Sequence, residues 1–334
     1  MSFFEKYDVS RSRVRNVLII ILLLVFLGSA ALFFIDLWES ENGKYIGSEN
    51  TALEKTVRYN GKEYVLNDEL ETYLFLGLDK FETNGIESYY NDKQADFLML
   101  FVVDDEESSF TALHINRDTV AEMNVLGVAG DKIGTAKKQI ALAHTYGNGK
   151  EVSCRNTANA VSKLLMDAEI NHYISVTMDA VPVLNDQVGG VEVTVLDDFS
   201  GIDDTLIKGE KVTLMGKHAL NYVRTRYNLE DSTNNHRMIR QRQYVNALYE
   251  QAKVCYSLNS EFIGQSVLKL TDYIVSDCSL NKLQALAEKI SAYEFKGIVE
   301  IEGESKLGKE FMEFYPDEDS LKSAAVKLFY KLQN

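Results

Sequence analysis

Three short apolar runs constrain this chain more than any other feature. Residues 73–78 (YLFLGL), 97–103 (FLMLFVV) and 110–115 (FTALHI) are each of strand length. Strands with little polar alternation belong in a sheet covered on both faces. The acidic stretch 104–108 (DDEES) between the last two reads as a hairpin turn. Helical spacing follows at 133–146 and at 157–166, with Asn156 placed to cap the second. The pattern then gives a strand at 172–176, a short helix at 179–187 and a strand at 191–196 after Gly189-Gly190. Helices are predicted from 217 to about 223, from 234 to about 254, and at 261–275 and 280–293. Strands at 297–301 and 310–315 precede a closing helix at 318–332. Strands interspersed with helices, without a proline- or glycine-rich linker, predict a single α/β domain: a mixed central β-sheet flanked by helices, spanning residues 71–334.

The N-terminus is of a different kind. Residues 17–35 (VLIIILLLVFLGSAALFFI) carry no charge over nineteen positions, enough for one transmembrane helix. Lys6, Arg11, Arg13 and Arg15 precede the run, and Asp36, Glu39 and Glu41 follow it. The positive-inside rule then makes residues 1–16 a cytoplasmic tail, 17–35 a membrane anchor and everything beyond extracytoplasmic. A cleaved signal peptide is the rival, since Gly28-Ser29-Ala30-Ala31 is small enough for processing. The apolar run continues past those residues through Phe34, which favours the anchor. Residues 36–70 are polar and weakly patterned, and read as a stalk with one short strand near 63–66.

A net charge of −15 argues against a general nucleic-acid binder. No GxxxxGK[ST], GxGxxG after a strand, GxSxG or HExxH pattern occurs. Cys154, Cys255 and Cys278 lack metal-ligand spacing and allow at most one internal disulfide, with buried free thiols the favoured reading. The arginines are distributed unusually. The chain has eleven, and five of the eight beyond the N-terminal tail lie between Arg224 and Arg242. A guanidinium is a planar fork suited to bidentate grip on phosphate or carboxylate. Arg237, Arg240, Gln241 and Tyr244 fall at i, i+3, i+4 and i+7, one face of a helix. Arg224 and Arg226 point the same way only in extended chain, so the preceding helix should end near Val223. Arg242 falls off the shared face and reads as a surface charge.

Asp79 and Asp96 each sit at an end of a buried-looking strand, and Asp118 follows Arg117 after a third apolar run. Two carboxylates at neighbouring strand ends suit a hard cation such as Mg²⁺ with phosphate co-ligands. Simple turn chemistry places carboxylates at such positions too.

The order of these pieces resembles the LytR-CpsA-Psr family of bacterial cell-envelope proteins. Leu76-Gly77-Leu78-Asp79 is followed by Ala95-Asp96, and then by Ile115-Asn116-Arg117-Asp118-Thr119, similar to the family's PRDT segment. Ala143-His144-Thr145-Tyr146-Gly147 and Asp186-Gln187-Val188-Gly189-Gly190-Val191 come next. The arginine segment from Leu214 through Tyr222-Val223-Arg224 to Arg226, and then Arg237-x-x-Arg240-Gln241-x-Gln243, complete seven pieces over about two hundred residues. The resemblance implies a Mg²⁺-dependent phosphotransferase. It would move a teichoic-acid or capsular-polysaccharide glycopolymer from an undecaprenyl-pyrophosphate carrier to a peptidoglycan hydroxyl at the outer face of the membrane. Carried over by position, Asp79 and Asp96 hold the metal. Arg117, Arg224, Arg226, Arg237 and Arg240 grip the pyrophosphate, supported by Gln241 or Gln243, and Asp96 or Asp118 is the general base. An apolar pocket for the polyprenyl tail is implied as well.

The chain departs from the family pattern at several positions. Lys80-Phe81-Glu82 and Gln94 occupy regions where members often carry arginine. Asn116 replaces the proline of PRDT, and Asn234 stands where many members have aspartate. The alternative of another class is a non-catalytic envelope protein that binds polyprenyl pyrophosphate or anionic glycopolymer without turnover.

Overall fold

The three apolar runs lie side by side at the centre of the molecule. A computed structural model describes residues 56–80, 91–226 and 234–333. A hairpin opens it, β1 (Thr56–Tyr59) and β2 (Lys62–Leu66). The sheet strands β3 (Glu71–Leu78), β4 (Phe97–Asp104) and β5 (Ser109–Ile115) follow. Next come β6 (Val120–Leu126), β7 (Lys132–Gln139), helix α1 (Glu151–Leu164), β8 (His172–Thr177) and α2 (Ala180–Gln187). The chain continues through β9 (Val191–Thr194), β10 (Lys211–Leu214), α3 (Lys217–Arg224), α4 (Asn234–Leu258) and α5 (Phe262–Leu270). It closes with β11 (Ile274–Ser276), α6 (Leu280–Ala292), β12 (Glu294–Glu300), β13 (Gly303–Leu307), β14 (Met312–Pro316), α7 (Glu318–Phe329) and β15 (Tyr330–Leu332).

The main sheet has the order β11-β8-β3-β4-β5-β12. It is mixed: β3–β4, β4–β5 and β8–β11 are antiparallel, while β3–β8 and β5–β12 are parallel. Alternate residues of β3 explain the two-sided apolar pattern. Leu74, Leu76 and Leu78 enter a core with Ala160, Val161 and Leu164 of α1 and Leu328 and Phe329 of α7. Tyr73 and Phe75 enter the opposite core with Leu283 and Leu286 of α6, Val267 of α5 and Tyr249 of α4. Each fully buried leucine contributes about 1.5–3 kcal/mol over an exposed one. Both late helices start at side-chain caps, Ser279 accepting from Lys282 N and Asp317 from Ser320 N.

Several expectations need correction. Residues 133–146 do not form a helix. They divide into β7, which pairs with β6, and a short 3₁₀ turn at Ile140–Thr145. The helical spacing of their apolar residues arose by joining a lysine-rich strand, only half covered on one face, to a buried turn. Asn156 is not a cap. It lies inside α1, buried, and donates to Ala143 O at 2.8 Å and Asn124 O at 3.1 Å. Asn148 supports that helix start instead, accepting from Lys150 N and Val152 N. The helix expected over 261–275 ends at Leu270, and the chain then adds β11 to the sheet edge. β1 and β2 fall within the expected stalk, where they form a hairpin, and β2 also pairs with the C-terminal β15. The segment 17–35 lies outside the described residues, among which no helix is long and apolar enough to cross a membrane.

A second, smaller core joins β9, β10, α3 and part of α4 around Phe199, Tyr222 and Tyr244. Gly190 turns the chain into β9 with φ of 95°. A Cβ there would lie 2.7 Å from Thr213 Cγ2 and 3.0 Å from the Leu214 carbonyl of β10. Gly190→Ala should therefore combine left-handed backbone strain with overpacking. The expected loss is about 2–4 kcal/mol of stability, read as a lowered midpoint in denaturant titration.

Candidate functional site

Strand geometry brings the sequence-distant acids and Arg117 together. β3 runs out of the sheet at Leu78, so Asp79 lies just past its end. β4 runs back antiparallel with Phe97 opposite Gly77, which puts Asp96 at the same end; its backbone N–H donates to Gly77 O at 2.9 Å. Gly77 is required there, because a Cβ would lie 2.8 Å from Phe97 Cβ. β5 is antiparallel to β4 with Ile115 opposite Leu98, so the turn Asn116-Arg117-Asp118 emerges at that end too. Arg117 donates through Nη1 to Asp96 and through Nη2 to Gln94 Oε1.

The arginine segment reaches the same place from the second core. α3 ends at Arg224, and Thr225 is extended (φ −59°, ψ 132°), so Arg224 and Arg226 face one cleft. Arg224 Nη2 lies 3.0 Å from Asp79. From α4, Arg237 enters the cleft, with Nη2 3.4 Å from Asp96 O. Asn234 accepts from both Nε and Nη2 of Arg237 at 3.1 and 2.6 Å. Asn234 in turn donates to Asn116 Oδ1 at 2.7 Å, and that oxygen also accepts from Asp118 N at 3.0 Å. The two asparagines that depart from the family pattern are thus bonded to each other, and they tie the Arg117 turn to α4.

The structure does not bring Arg240, Gln241 and Gln243 to the cleft. Arg240 is 1% exposed. It pairs with Asp197 at 3.2 Å, donates to Thr225 O and lies over Phe199 and Tyr222. Gln241 donates to Val223 O at 3.1 Å and Gln243 to Thr194 O at 3.0 Å. The helical face expected from the spacing is real, but packed chain covers its lower part. Arg240 and Gln241 hold the Val223–Thr225 backbone that presents Arg224 and Arg226, while Gln243 ties Tyr222 of α3 to β9 by accepting from the Tyr222 hydroxyl. Asp197, the acid that neutralises Arg240, was missed; in the sequence Asp197-Asp198 looks like ordinary turn chemistry after β9.

Asp118 is also displaced from its expected role. It is buried, with Oδ1 accepting from Gln139 Nε2 at 2.9 Å and 3.5 Å from Arg117 Nε. Burial raises its pKa, against the lowering influence of Arg117, Arg226, Arg237 and the Gln139 hydrogen bond. It does not line the cleft. Arg242 is not a free surface charge: it pairs with Glu300 at 2.9 Å. Of the three cysteines, all free, Cys154 is buried and the other two are half-buried.

The resulting cleft has a volume of about 530 Å³ and is lined by Asp79, Asp96, Arg117, Arg224, Arg226 and Arg237, with Met178, Ile202 and Leu220 as its apolar wall. A larger cavity of about 1270 Å³ lies on the far side of the Asn116 turn, but the clustered forks and acids are in the smaller one. A third, almost wholly apolar cavity of about 270 Å³ lies between the sheet and α2, α5 and α6, with Phe75, Val176, Ala180, Leu184 and Leu270 on its wall. Its Val176 and Ala180 flank Met178 of the cleft in sequence. A grouping of His172, Asp277 and Cys278 lies at the β8–β11 edge instead. There Lys282 Nζ sits 2.7 Å from His172 Nε2 and 2.8 Å from Glu71, and His172 Nδ1 lies 3.3 Å from Asp277.

Comparison with known proteins places this architecture. Over 274 residues the chain is 27% identical to the polyisoprenyl-teichoic acid–peptidoglycan teichoic acid transferase TagU of Enterococcus faecalis, covering 81% of this chain and 80% of that protein. It is 26% identical to the corresponding TagV transferase of Bacillus subtilis, covering 67% of this chain but only 54% of that protein. Among solved structures, B. subtilis TagV superposes with a TM-score of 0.60 at 25% identity, over 79% of this chain and 97% of that one. TagT bound to LI-WTA shares the fold with a TM-score of 0.60 at 19% identity, over 85% of this chain and 97% of that one. The model of the LytR_cpsA_psr family matches residues 40–328, and the chain belongs to that family.

Proposed function

We propose that this protein is a phosphotransferase that moves a teichoic-acid- or capsular-polysaccharide-type glycopolymer from an undecaprenyl-pyrophosphate carrier to peptidoglycan. Residues 17–35 would anchor it in the membrane, with the α/β domain on the extracytoplasmic side. The observation that carries this reading is the convergence of Arg117, Arg224, Arg226 and Arg237 with Asp79 and Asp96 on one cleft. The names of the TagU and TagV relatives state the same class of reaction for those proteins.

Phosphoryl transfer asks a protein mainly for positioning and for neutralising charge on the transferring group. Four guanidiniums against two carboxylates leave the cleft with a cationic excess that a pyrophosphate would satisfy. Arg117 and Arg224 are held by Asp96 and Asp79 before substrate arrives. Their forks are therefore already directed across the cleft, which lowers the ordering cost of binding. Asp79 and Asp96 also fit Mg²⁺. That ion takes one or two carboxylates and completes its shell with water and substrate phosphate oxygens, and these two line an open cleft with room for such ligands. When bound, Mg²⁺ would supply further neutralisation of the phosphate oxygens.

In the step itself, an acceptor hydroxyl oxygen forms a bond to the glycan-linked phosphorus. The bond from that phosphorus to the bridging oxygen breaks, and undecaprenyl phosphate leaves. The hydroxyl proton passes to Asp96, the carboxylate on the cleft wall beside Arg117. Asp118, enclosed behind Arg117, orients that arginine. The apolar cavity beyond Met178 would receive the first part of the polyprenyl chain, adding burial to the affinity for the carrier.

The test uses full-length protein in nanodiscs with a polyprenyl-pyrophosphate glycopolymer and Mg²⁺. Asp96→Ala should lower transfer by about 10²–10⁴-fold while carrier binding persists. Undiminished transfer in both Asp79→Ala and Asp96→Ala would remove the two carboxylates from the reaction, and carrier binding without any transfer by the wild type would leave only a non-catalytic binding protein.

A further inference from the structure

We propose that the 1270 Å³ cavity beside the cleft is the binding groove for the acceptor: an uncharged, hydroxyl-rich glycan chain. This rests on the transferase reading and assigns its second substrate to a second site. The two cavities share their partition. In the turn after β5, Asn116 lines the larger cavity and Arg117 lines the cleft. In α4, Asn235 and Arg242 face the larger cavity and Arg237 faces the cleft. A chain lying in the groove is therefore separated from the phosphate-gripping arginines by a single turn of backbone. In-line displacement requires the attacking hydroxyl to approach the phosphorus opposite the leaving oxygen, from a site distinct from that of the carrier.

The chemistry of the groove differs from that of the cleft. Its lining cations, Arg242, Lys296 and Lys327, are matched by Glu300, Glu302, Asp317 and Asp319, and Arg242 is already paired with Glu300 at 2.9 Å. Such a lining gives no preference for an anion. It offers amides, hydroxyls and the Phe314 ring, which suit the alternating polar edges and apolar faces of sugar rings. His114 is the most telling residue on its wall. It is 2% exposed, and its Nδ1 has no hydrogen-bond partner among the described residues. Burial, followed by the nearby Arg242 and Arg237 charges, depresses its pKa to about 3, so the ring is neutral and suited to a hydroxyl rather than to an anion. The far wall is shaped to admit a chain. β12 loses its register with β5 between Phe295 and Ile298, where Gly297 has φ of 102°. Such bulges re-aim side chains at binding sites. The volume exceeds the range of about 300–1,000 Å³ usual for a single small ligand, which points to an oligomer.

The experiment titrates the full-length protein in nanodiscs with two probes: a β-1,4-linked N-acetylglucosamine tetramer and geranyl pyrophosphate. Ser323→Trp, which fills the groove from α7, should weaken tetramer binding by at least about tenfold, a change of 1.4 kcal/mol, and leave geranyl pyrophosphate unaffected. Arg224→Ala should do the reverse. Asn235→Trp serves as a second filling variant should Ser323→Trp lower the melting temperature. Tetramer binding that is absent in the wild type, or equal in the filled variants, overturns the proposal. So does stronger binding of a polyglycerol-phosphate oligomer than of the tetramer at this groove. Failure of geranyl pyrophosphate to bind the wild type would instead sink the cleft assignment, independently of the groove.

Discussion

Arg117→Ala should reduce glycopolymer transfer by about 10²–10³-fold, the usual effect of deleting one preorganised donor to a developing anion. The side chain is the only one from the β5 turn that lines the cleft, and it enters between Asp96 and Gln94. In the ground state those two oxygens spread the fork across two acceptors. When phosphate oxygens displace them, the same planar donors meet the substrate with little reorientation, and Asp96 is released to take the acceptor proton. Deleting Arg117 thus removes both a phosphate donor and the group that controls the Asp96 carboxylate. Lysine carries the charge but not the fork, so Arg117→Lys should recover at most a small part of the loss. Some stability should be lost as well: water can replace the lost donor at Asp96, whose side chain is 17% exposed, but buried Asp118 loses the guanidinium 3.5 Å away. Single-turnover transfer assays, run beside thermal melts, separate the two effects. A loss below about tenfold would assign phosphate neutralisation to Arg224, Arg226 and Arg237 alone.

The sequence carried the centre of the fold because its strands bury both faces. Leu74, Leu76 and Leu78 and the interleaved Tyr73 and Phe75 leave no amphipathic alternative. β7 was illegible for the opposite reason. Its burial is slight, so its three lysines follow hairpin pairing with β6 and not a hydrophobic period. At the site, Asp79, Asp96 and Arg117 could be grouped because strand ends converge whatever the loops do. The helical face of Arg237, Arg240 and Gln241 was also legible. What spacing cannot supply is the surface that meets each position. One turn along α4 separates an arginine on an open cleft from one enclosed by Asp197, Phe199 and Tyr222. Asp197 is forty-three residues away in sequence, and its contact with Arg240 exists only after β9 and α4 have packed.

That enclosure makes Asp197 the position with the largest expected effect on folding. Asp197 and Arg240 are 2% and 1% exposed, and burial already lowers the Arg240 pKa against the raising influence of Asp197. Asp197→Ala would strand the guanidinium without its counter-charge, an effect of about 3–5 kcal/mol for one partner of a buried pair. In a domain of this size that corresponds to a fall of roughly 6–20 °C in melting temperature. Removing both charges together should be far milder, since an apolar pair can fill the space beside Phe199 and Tyr222. Asp197→Leu combined with Arg240→Met should therefore regain most of the stability lost in either single variant, a coupling that a double-mutant cycle measures directly. Activity should not recover in parallel. Arg240 also donates to Thr225 O, and that bond fixes the extended residue between Arg224 and Arg226. The double variant should melt near the wild type yet bind geranyl pyrophosphate more weakly, because the two cleft arginines on that segment lose their support. Full recovery of binding would mean that Gln241, through its bond to Val223 O, suffices to hold the segment in place.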